Sequence, residues 1–294
     1  MRTIKTISII IPIYNNVELI DIATTSINKQ IIPNDIELEI ILIDDGSKNL
    51  NKELILNTLS KKENIVNKTH LLINNVNIGT VKTLNRAINH SKGDIIIPLS
   101  ADDEFYDNHS ISHIINYFST HPDCLLVTGL RVPIINNKET PSLPEKKHYP
   151  LFNKIEKLKK HLILSENIIS GASTYYHKDI FNKLGGFDEN YILLEDYPFY
   201  LKALDHKIPI HLIEKKVIKY GTNGISSGKV INIKLKNDLE KALKYAYSIG
   251  DLGIMDKRKF YFNRILNKKK KIICSIFYPD QVVLLLLRKI KRYV

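Results

Sequence analysis

The sequence of 294 residues is 44% hydrophobic and 25% charged, which supports a full globular core, as one large domain with additions or as two small ones. Its two cysteines, Cys124 and Cys274, lie far apart without CxxC or His-rich spacing, so neither a disulfide scaffold nor a structural zinc site is implied, and a reducing cytosol fits. The net charge of +12 sits mainly in the tail, where 12 Lys and Arg stand against 3 Asp from Asp251 to Val294, which argues against a nucleic-acid-binding module.

In chain order, TISIIIPIY is short, ends at Pro12 without a small-residue cleavage site and reads as a first strand, Ile7 to Ile13, rather than a signal. A helix over Val17 to Lys29, a strand over Leu38 to Ile43 and a helix over Asn51 to Leu59 follow. Then come a strand over Lys68 to Ile73, a helix over Thr80 to Asn89, a strand over Asp94 to Leu99, a helix over Ser110 to Phe118 and a strand over Cys124 to Leu130. This alternation implies a mostly parallel, doubly wound sheet. Asn136 to Pro150, with three prolines, reads as a loop or insertion over a sheet edge. From Ile168 a strand runs through Tyr176, a helix through Leu184, the turn GGFDEN, and a helix around Glu195 to Leu204. The histidines are scattered and read as surface or half-buried residues.

Open α/β sheets hold ligands at the carboxyl ends of their strands, and here the chemistry-bearing residues gather at those ends. Tyr14, after Pro12, is an aromatic able to stack on a planar base; otherwise the pair marks a turn. In LIDDGS, Asp44 or Asp45 is able to accept the imide N–H of uracil, though Asp-Gly is also a common turn. Gly79 opens a helix whose N-terminus favours phosphate, but neither GxGxxG nor GxxxxGK[ST] occurs. The run IIIPLSADDEFYD breaks from buried strand into Asp102 and Asp103, adjacent carboxylates that need a cation unless they serve the next helix N-terminus. Glu195 and Asp196 pose the same choice.

Together, SIIIPIYNN, ILIDDGS, NIGTVKTLNRAI, GDIIIPLSADDEF, SGASTYYHKDIFNKLGGFDENY and LLEDYPFYLKAL resemble the inverting family 2 glycosyltransferases of the GT-A, or nucleotide-diphospho-sugar transferase, fold. The likeness spans about residues 6 to 225. It implies an α/β, Rossmann-like sheet flanked by helices, as a GT-A domain over residues 1–228 with a basic helical extension over 229–294. By resemblance, Pro12 and Tyr14 hold the base, Asp45 takes its N–H, and Asp102 binds Mn²⁺ or Mg²⁺ with Asp103 beside it. Ser100 replaces the first acid of the family's Asp-x-Asp and is left with the ribose contact. Asp196 is the implied catalytic base, and Glu195 shapes the acceptor side. The His that many relatives carry after this helix has no counterpart in KYGTNGISSGK, Lys219 to Lys229, which reads as a loop able to close over the diphosphate, with Lys229.

The chemistry is consistent with that assignment. Cleaving a sugar from a nucleoside diphosphate leaves charge on the β-phosphate that a divalent ion stabilises, and a sugar hydroxyl needs a carboxylate to take its proton. The expected activity is metal-dependent transfer of a hexose from a UDP-sugar to a hydroxyl of a glycan or lipid-linked oligosaccharide in bacterial surface polysaccharide synthesis. The alternative is a catalytically inactive sugar-nucleotide-binding protein of the same fold. The tail, with KKKK at Lys268 to Lys271 and a longest apolar run of Val282 to Leu287, is far short of the ~20 residues that span a bilayer. Its basic and apolar mixture suits the surface of an anionic membrane, so the expected location is cytoplasmic, peripheral at the inner face of the cytoplasmic membrane. The other reading packs its Leu side on the domain. No nucleic-acid partner is expected.

Overall fold

The computed structural model describes residues 1–60, 66–136, 138–221 and 232–290. Most of the expected closing loop, residues 222–229, the boundary at 228/229 and the last four residues lie outside this set. The strands are β1 (Thr6–Ile13), β2 (Glu37–Asp44), β3 (Lys68–Ile73), β4 (Ile95–Pro98), β5 (Glu104–Phe105), β6 (Leu126–Ile135), β7 (Lys138–Glu139), β8 (Thr174–His177) and β9 (His211–Tyr220). The helices of the first part are α1 (Ile20–Asn28), α2 (Lys52–Ser60), α3 (Thr80–His90), α4 (Ser110–Thr120), α5 (Tyr149–Phe152), α6 (Ile155–Leu164), α7 (Asp179–Leu184) and α8 (Asp196–Asp205). Beyond them lie α9 (Ile233–Ser248), α10 (Ile254–Phe260), α11 (Lys268–Ile273) and α12 (Pro279–Ile290).

Among the described residues one sheet runs β3-β2-β1-β4-β8-β6-β9-β5, with β7 folded onto β6. The first four strands are parallel; β8 runs antiparallel to both β4 and β6, β9 parallel to β6, and β5 antiparallel to β9. Continuous aliphatic runs form these strands because both faces are covered. Ile7, Ile9, Ile11 and Ile13 of β1 join α1, α2 and α4 in one core, while Ile10 joins α3, α6, α7, α8 and α9 in the other. Strand periodicity divides a single run between two cores.

Several details depart from the sequence reading. The strand expected from Ile168 begins only at Thr174, because Gly171–Ser173 forms a 3₁₀ turn closed by Ser173 N–H and Thr174 Oγ1 on the Ser170 carbonyl. The segment expected as a loop from Asn136 to Pro150 holds β7 and a 3₁₀ turn at Lys146–His148. Helix α6 and strand β9 are additional elements. The alternative of Asp102 and Asp103 as helix caps is excluded, since α4 starts at Ser110 and Asp107 accepts from the His109 N–H at 2.9 Å and from Ser110 Oγ at 3.1 Å.

Helix α9 packs Ala242 and Ala246 into the core that also holds α8. Its fully buried Asp238 accepts the backbone N–H groups of Ile192 at 2.8 Å and Leu193 at 2.7 Å, just ahead of Glu195. On the opposite side the Val81 N–H, in the first turn of α3, donates to the Ile192 carbonyl at 3.2 Å. The approach to α8 is thereby clamped from two helices. Asp238→Ala removes the acceptor from two enclosed donors and is expected to cost about 3 kcal/mol; urea unfolding measures it, and a loss below ~0.5 kcal/mol contradicts the clamp.

Candidate active site

The carboxyl ends of β1 and β2 are stitched together by side chains. Asn15, at φ 53°, donates its N–H to Ser47 Oγ at 2.8 Å and accepts from the Lys48 N–H at 3.1 Å, leaving the adjacent Tyr14 ring 41% exposed. Asp44 closes the turn by accepting from the N–H groups of Gly46 and Ser47. Gly46 takes φ +72°, and a Cβ there would lie 2.4 Å from the Val76 carbonyl carbon, so both conformation and space require glycine.

Asp45 is buried, and its two oxygens accept four bonds. Asn74 Nδ2 and the Ile78 N–H meet Oδ1 at 3.0 and 2.9 Å, and Asn77 Nδ2 and the Gly79 N–H meet Oδ2 at 2.9 and 3.0 Å. Its carboxylate therefore already fills the anion position at the N-terminus of α3 that the sequence offered to a phosphate. Of the four donors, only Asn77 is an exposed side chain.

At the end of β4, Asp103 turns inward and is 1% exposed, while Asp102 is only partly covered. The Gly221 N–H donates to Asp103 Oδ1 at 2.8 Å, and Oδ2 is buried without a hydrogen-bond partner among the described residues. Burial pushes the Asp103 carboxyl up to about 7, opposed by the Gly221 bond and raised further by Asp102. A Cβ on Gly221 would fall 2.6 Å from the Asp102 carbonyl oxygen and 3.0 Å from its Oδ2, so the chain end of β9 passes directly against this acid. All-oxygen donors with an orphaned buried carboxylate oxygen behind them fit a hard divalent cation, with Asp102 as the member able to meet one from solvent.

Glu195 and Asp196 open α8 across a small cavity of about 80 Å³, whose walls include Pro12, Ser100, Gly171 and Glu195. The cavity thus joins the ends of β1 and β4 to the acid pair. A Cβ on Gly171 would stand 3.4 Å from both Asp196 Cβ and Glu195 Oε1, which places the 3₁₀ turn against both acids. Desolvation raises both carboxyl groups, and repulsion from Asp196 raises Glu195 further. Asp196 is pulled back by the Tyr197 N–H, which meets its Oδ1 at 2.6 Å, and by the Gly171 N–H. Backbone N–H groups thus favour the ionised form of Asp196 against the burial that raises both acids.

Arg131 is a participant that the motifs did not reveal. Register slips on either side of Leu130 aim the β6 side chain out of the regular pleat, and its guanidinium lies 5.0 Å over the Tyr220 ring. Its charge favours the ionised forms of both Asp103 and Asp196, so the two acid clusters share one cationic neighbour. The available signal was an arginine inside an otherwise apolar strand, TGLRVP.

A raised carboxyl pKa means that the folded chain keeps a proton the unfolded chain has lost, so stability falls as pH climbs from about 4 through neutrality. Glu195→Gln is expected to flatten this fall, gaining about 1.4 kcal/mol over wild type for each pH unit in that window. Denaturant unfolding across pH measures it; parallel curves for the two proteins contradict a protonated Glu195.

The profile described as Glycosyl transferase family 2 matches residues 8–185. An uncharacterized glycosyltransferase of Haemophilus influenzae is 26% identical over 295 residues, covering 95% of this chain and 86% of that protein. Among solved structures, S. aureus TarS in complex with UDP superposes with a TM-score of 0.61 at 18% identity, covering 87% of this chain and 69% of that one. The mannosyltransferase PcManGT of Pyrobaculum calidifontis, in complex with GDP-Man and Mn²⁺, gives 0.54 at 15% identity, covering 85% and 77%. At these identities the likeness carries the fold, which is the GT-A arrangement.

Proposed function

The chain belongs to glycosyl transferase family 2, and we propose that it moves one sugar, a hexose, from a UDP-sugar to a hydroxyl of a glycan or lipid-linked acceptor, with inversion at the anomeric carbon. The observation that carries this reading is the placement of the Glu195 and Asp196 pair at the start of α8, beside a cavity that reaches Ser100 and Pro12. Two adjacent carboxyl groups with different surroundings divide the work of acid chemistry. Asp196, whose ionised form two backbone N–H groups favour, takes the proton of the attacking hydroxyl, and Glu195 shapes the acceptor side. The raised affinity of Asp196 for a proton suits a general base, because it brings its pKa nearer the working pH.

On the donor side, the base stacks on the exposed Tyr14 ring. Its imide N–H reaches Asp45 by exchanging with the Asn77 amide, the solvent-facing member of the four donors there. Ser100 contributes a hydroxyl to the ribose. Asp102, with Asp103 behind it, would hold Mg²⁺ or Mn²⁺, which stabilises the departing diphosphate as a Lewis acid when bound. The TarS structure holds UDP and the PcManGT structure holds GDP-Man and Mn²⁺, which supports a nucleotide-sugar donor and a divalent ion. We read residues 1–228 as the GT-A domain and 229–294 as a helical extension that also contributes Asp238 to the clamp ahead of the acids.

The acceptor is anchored at an anionic membrane surface, as in bacterial surface polysaccharide assembly, with the enzyme peripheral on the cytoplasmic side. Among the described residues no helix is long and apolar enough to cross a membrane. Ile272, Ile273, Ile276 and Phe277 are 70–80% exposed beside Lys269 to Lys271, the combination that interfacial helices present to lipid.

Asp196→Asn is expected to lower kcat about 10²- to 10⁴-fold while UDP affinity is kept. A screen of UDP-, dTDP- and GDP-sugars with and without Mn²⁺, read by nucleotide release, supplies the substrate. Full turnover in the variant rejects the base, and consumption of only a dTDP- or GDP-sugar rejects the uracil contacts. For the membrane, replacing Ile276 and Phe277 together by Glu is expected to weaken binding to phosphatidylglycerol vesicles more than ~10-fold, since each buried side chain contributes about 1.5–3 kcal/mol; equal sedimentation with vesicles contradicts the surface.

A further inference from the structure

Away from the acid pairs, three potential metal ligands meet where the segment after β7 crosses the end of α6. His148 ends the 3₁₀ turn at Lys146–His148, His161 lies in the last turn of α6, and Glu166 follows that helix. One ligand atom from each lies within 4.8 Å of the others, and the two imidazole rings are 5.2 Å apart. His148 is 8% exposed, with a buried Nδ1 that has no hydrogen-bond partner among the described residues. Nε2 of His161 is likewise shut off from solvent, while Glu166 is exposed, leaving one open side.

An imidazole nitrogen enclosed without a partner is a costly arrangement unless something binds it. Burial lowers the proton affinity of His148, and the charge of Lys147 acts in the same direction. Lys147 is itself paired with Glu145 at 2.7 Å, which offsets its repulsion of a cation. Two imidazoles and one carboxylate form a donor set for a first-row transition ion, unlike the all-oxygen set at Asp102. Ligands about 2.1 Å from a tetrahedral ion stand about 3.4 Å apart, so from separations within 4.8 Å binding needs a contraction of at most about 1.4 Å, to which the exposed Glu166 side chain contributes.

We propose that His148, His161 and Glu166 form a second metal site, for a zinc-class divalent ion, that clamps the segment after β7 to the end of α6. The clamp acts close to the acid pair. Leu162, next to His161, accepts from Tyr197 Oη at 2.9 Å, and Tyr197 follows Asp196; Arg264 ties the same Tyr197 Oη at 3.0 Å and the Ser165 carbonyl at 3.0 Å. An ion here fixes α6 against the first turn of α8. The site stands independently of the donor and acceptor assignments.

The test is a chelator-competition titration of Zn²⁺ into the full chain after stripping with EDTA, with hydrogen exchange in parallel. The expected result is one tight Zn²⁺ per chain, not displaced by Mg²⁺, with slowed exchange at residues 146–150 and 161–166. Glu166→Gln, which alters an exposed side chain and leaves the fold intact, and His161→Asn are each expected to weaken it at least ~10-fold. Asp102→Asn is expected to leave Zn²⁺ affinity unchanged, which separates this site from the donor metal. No tight Zn²⁺, Zn²⁺ bound equally by Glu166→Gln and His161→Asn, or Zn²⁺ lost in Asp102→Asn overturns the proposal.

Discussion

Carboxylates withdrawn from water without matching cations are unstable, and the carboxyl edge of this sheet holds Asp103, Glu195 and Asp196 in that condition. Much of the surrounding structure answers that cost. Backbone N–H groups from Gly221, Gly171 and Tyr197 point at these acids, and Arg131 lends charge to Asp103 and Asp196. Among the described residues Asp103 Oδ2 is left without a partner, which fits the cation proposed for this edge. Preorganised charge of this kind, paid for by folding rather than at the moment of reaction, is what a group-transfer site requires.

The acids stay in place because their segments are held from elements distant in the chain. Asp45 ends β2 yet fastens the turn into α3; α3 and α9 then grip Ile192 and Leu193 from either side. Helix α9 is therefore part of the site's support as well as the start of the basic tail. The exposed apolar residues Ile272, Ile273, Ile276 and Phe277 lie beyond it in the chain.

The fold was legible where burial is two-sided and local pattern is strong. Ile7 to Ile13 and Leu38 to Ile43 are aliphatic throughout because helices cover both faces, and the first four strands and α1 to α4 follow from that alone. Strand β9, HLIEKKVIKY, was hidden because its middle is charged and exposed, and α6, IEKLKKHLIL, because its lysines mask a Leu and Ile face. At the site, the motifs named Tyr14, Asp102 and Asp196. They did not reveal that Asp45 is engaged by four donors of its own chain, nor that the charge of Arg131 acts on both Asp103 and Asp196, since both facts arise from turns and register slips that bring remote segments together. The His148, His161 and Glu166 cluster was invisible for the same reason, its spacing matching no local ligand pattern.

The central proposal is spatial: the donor diphosphate and its ion lie at Asp102 and the sugar's reacting carbon faces Asp196, on either side of the cavity walled by Pro12, Ser100 and Glu195. A crystal structure with Mn²⁺ and a non-transferable analogue of the proposed UDP-sugar donor tests it most directly. The account predicts the ion on the Asp102 carboxylate, the base on Tyr14 and the anomeric carbon facing Asp196 across an open space for the acceptor. A nucleotide bound elsewhere, or an anomeric carbon turned away from Asp196 with Asp102 facing a separate surface, would contradict it.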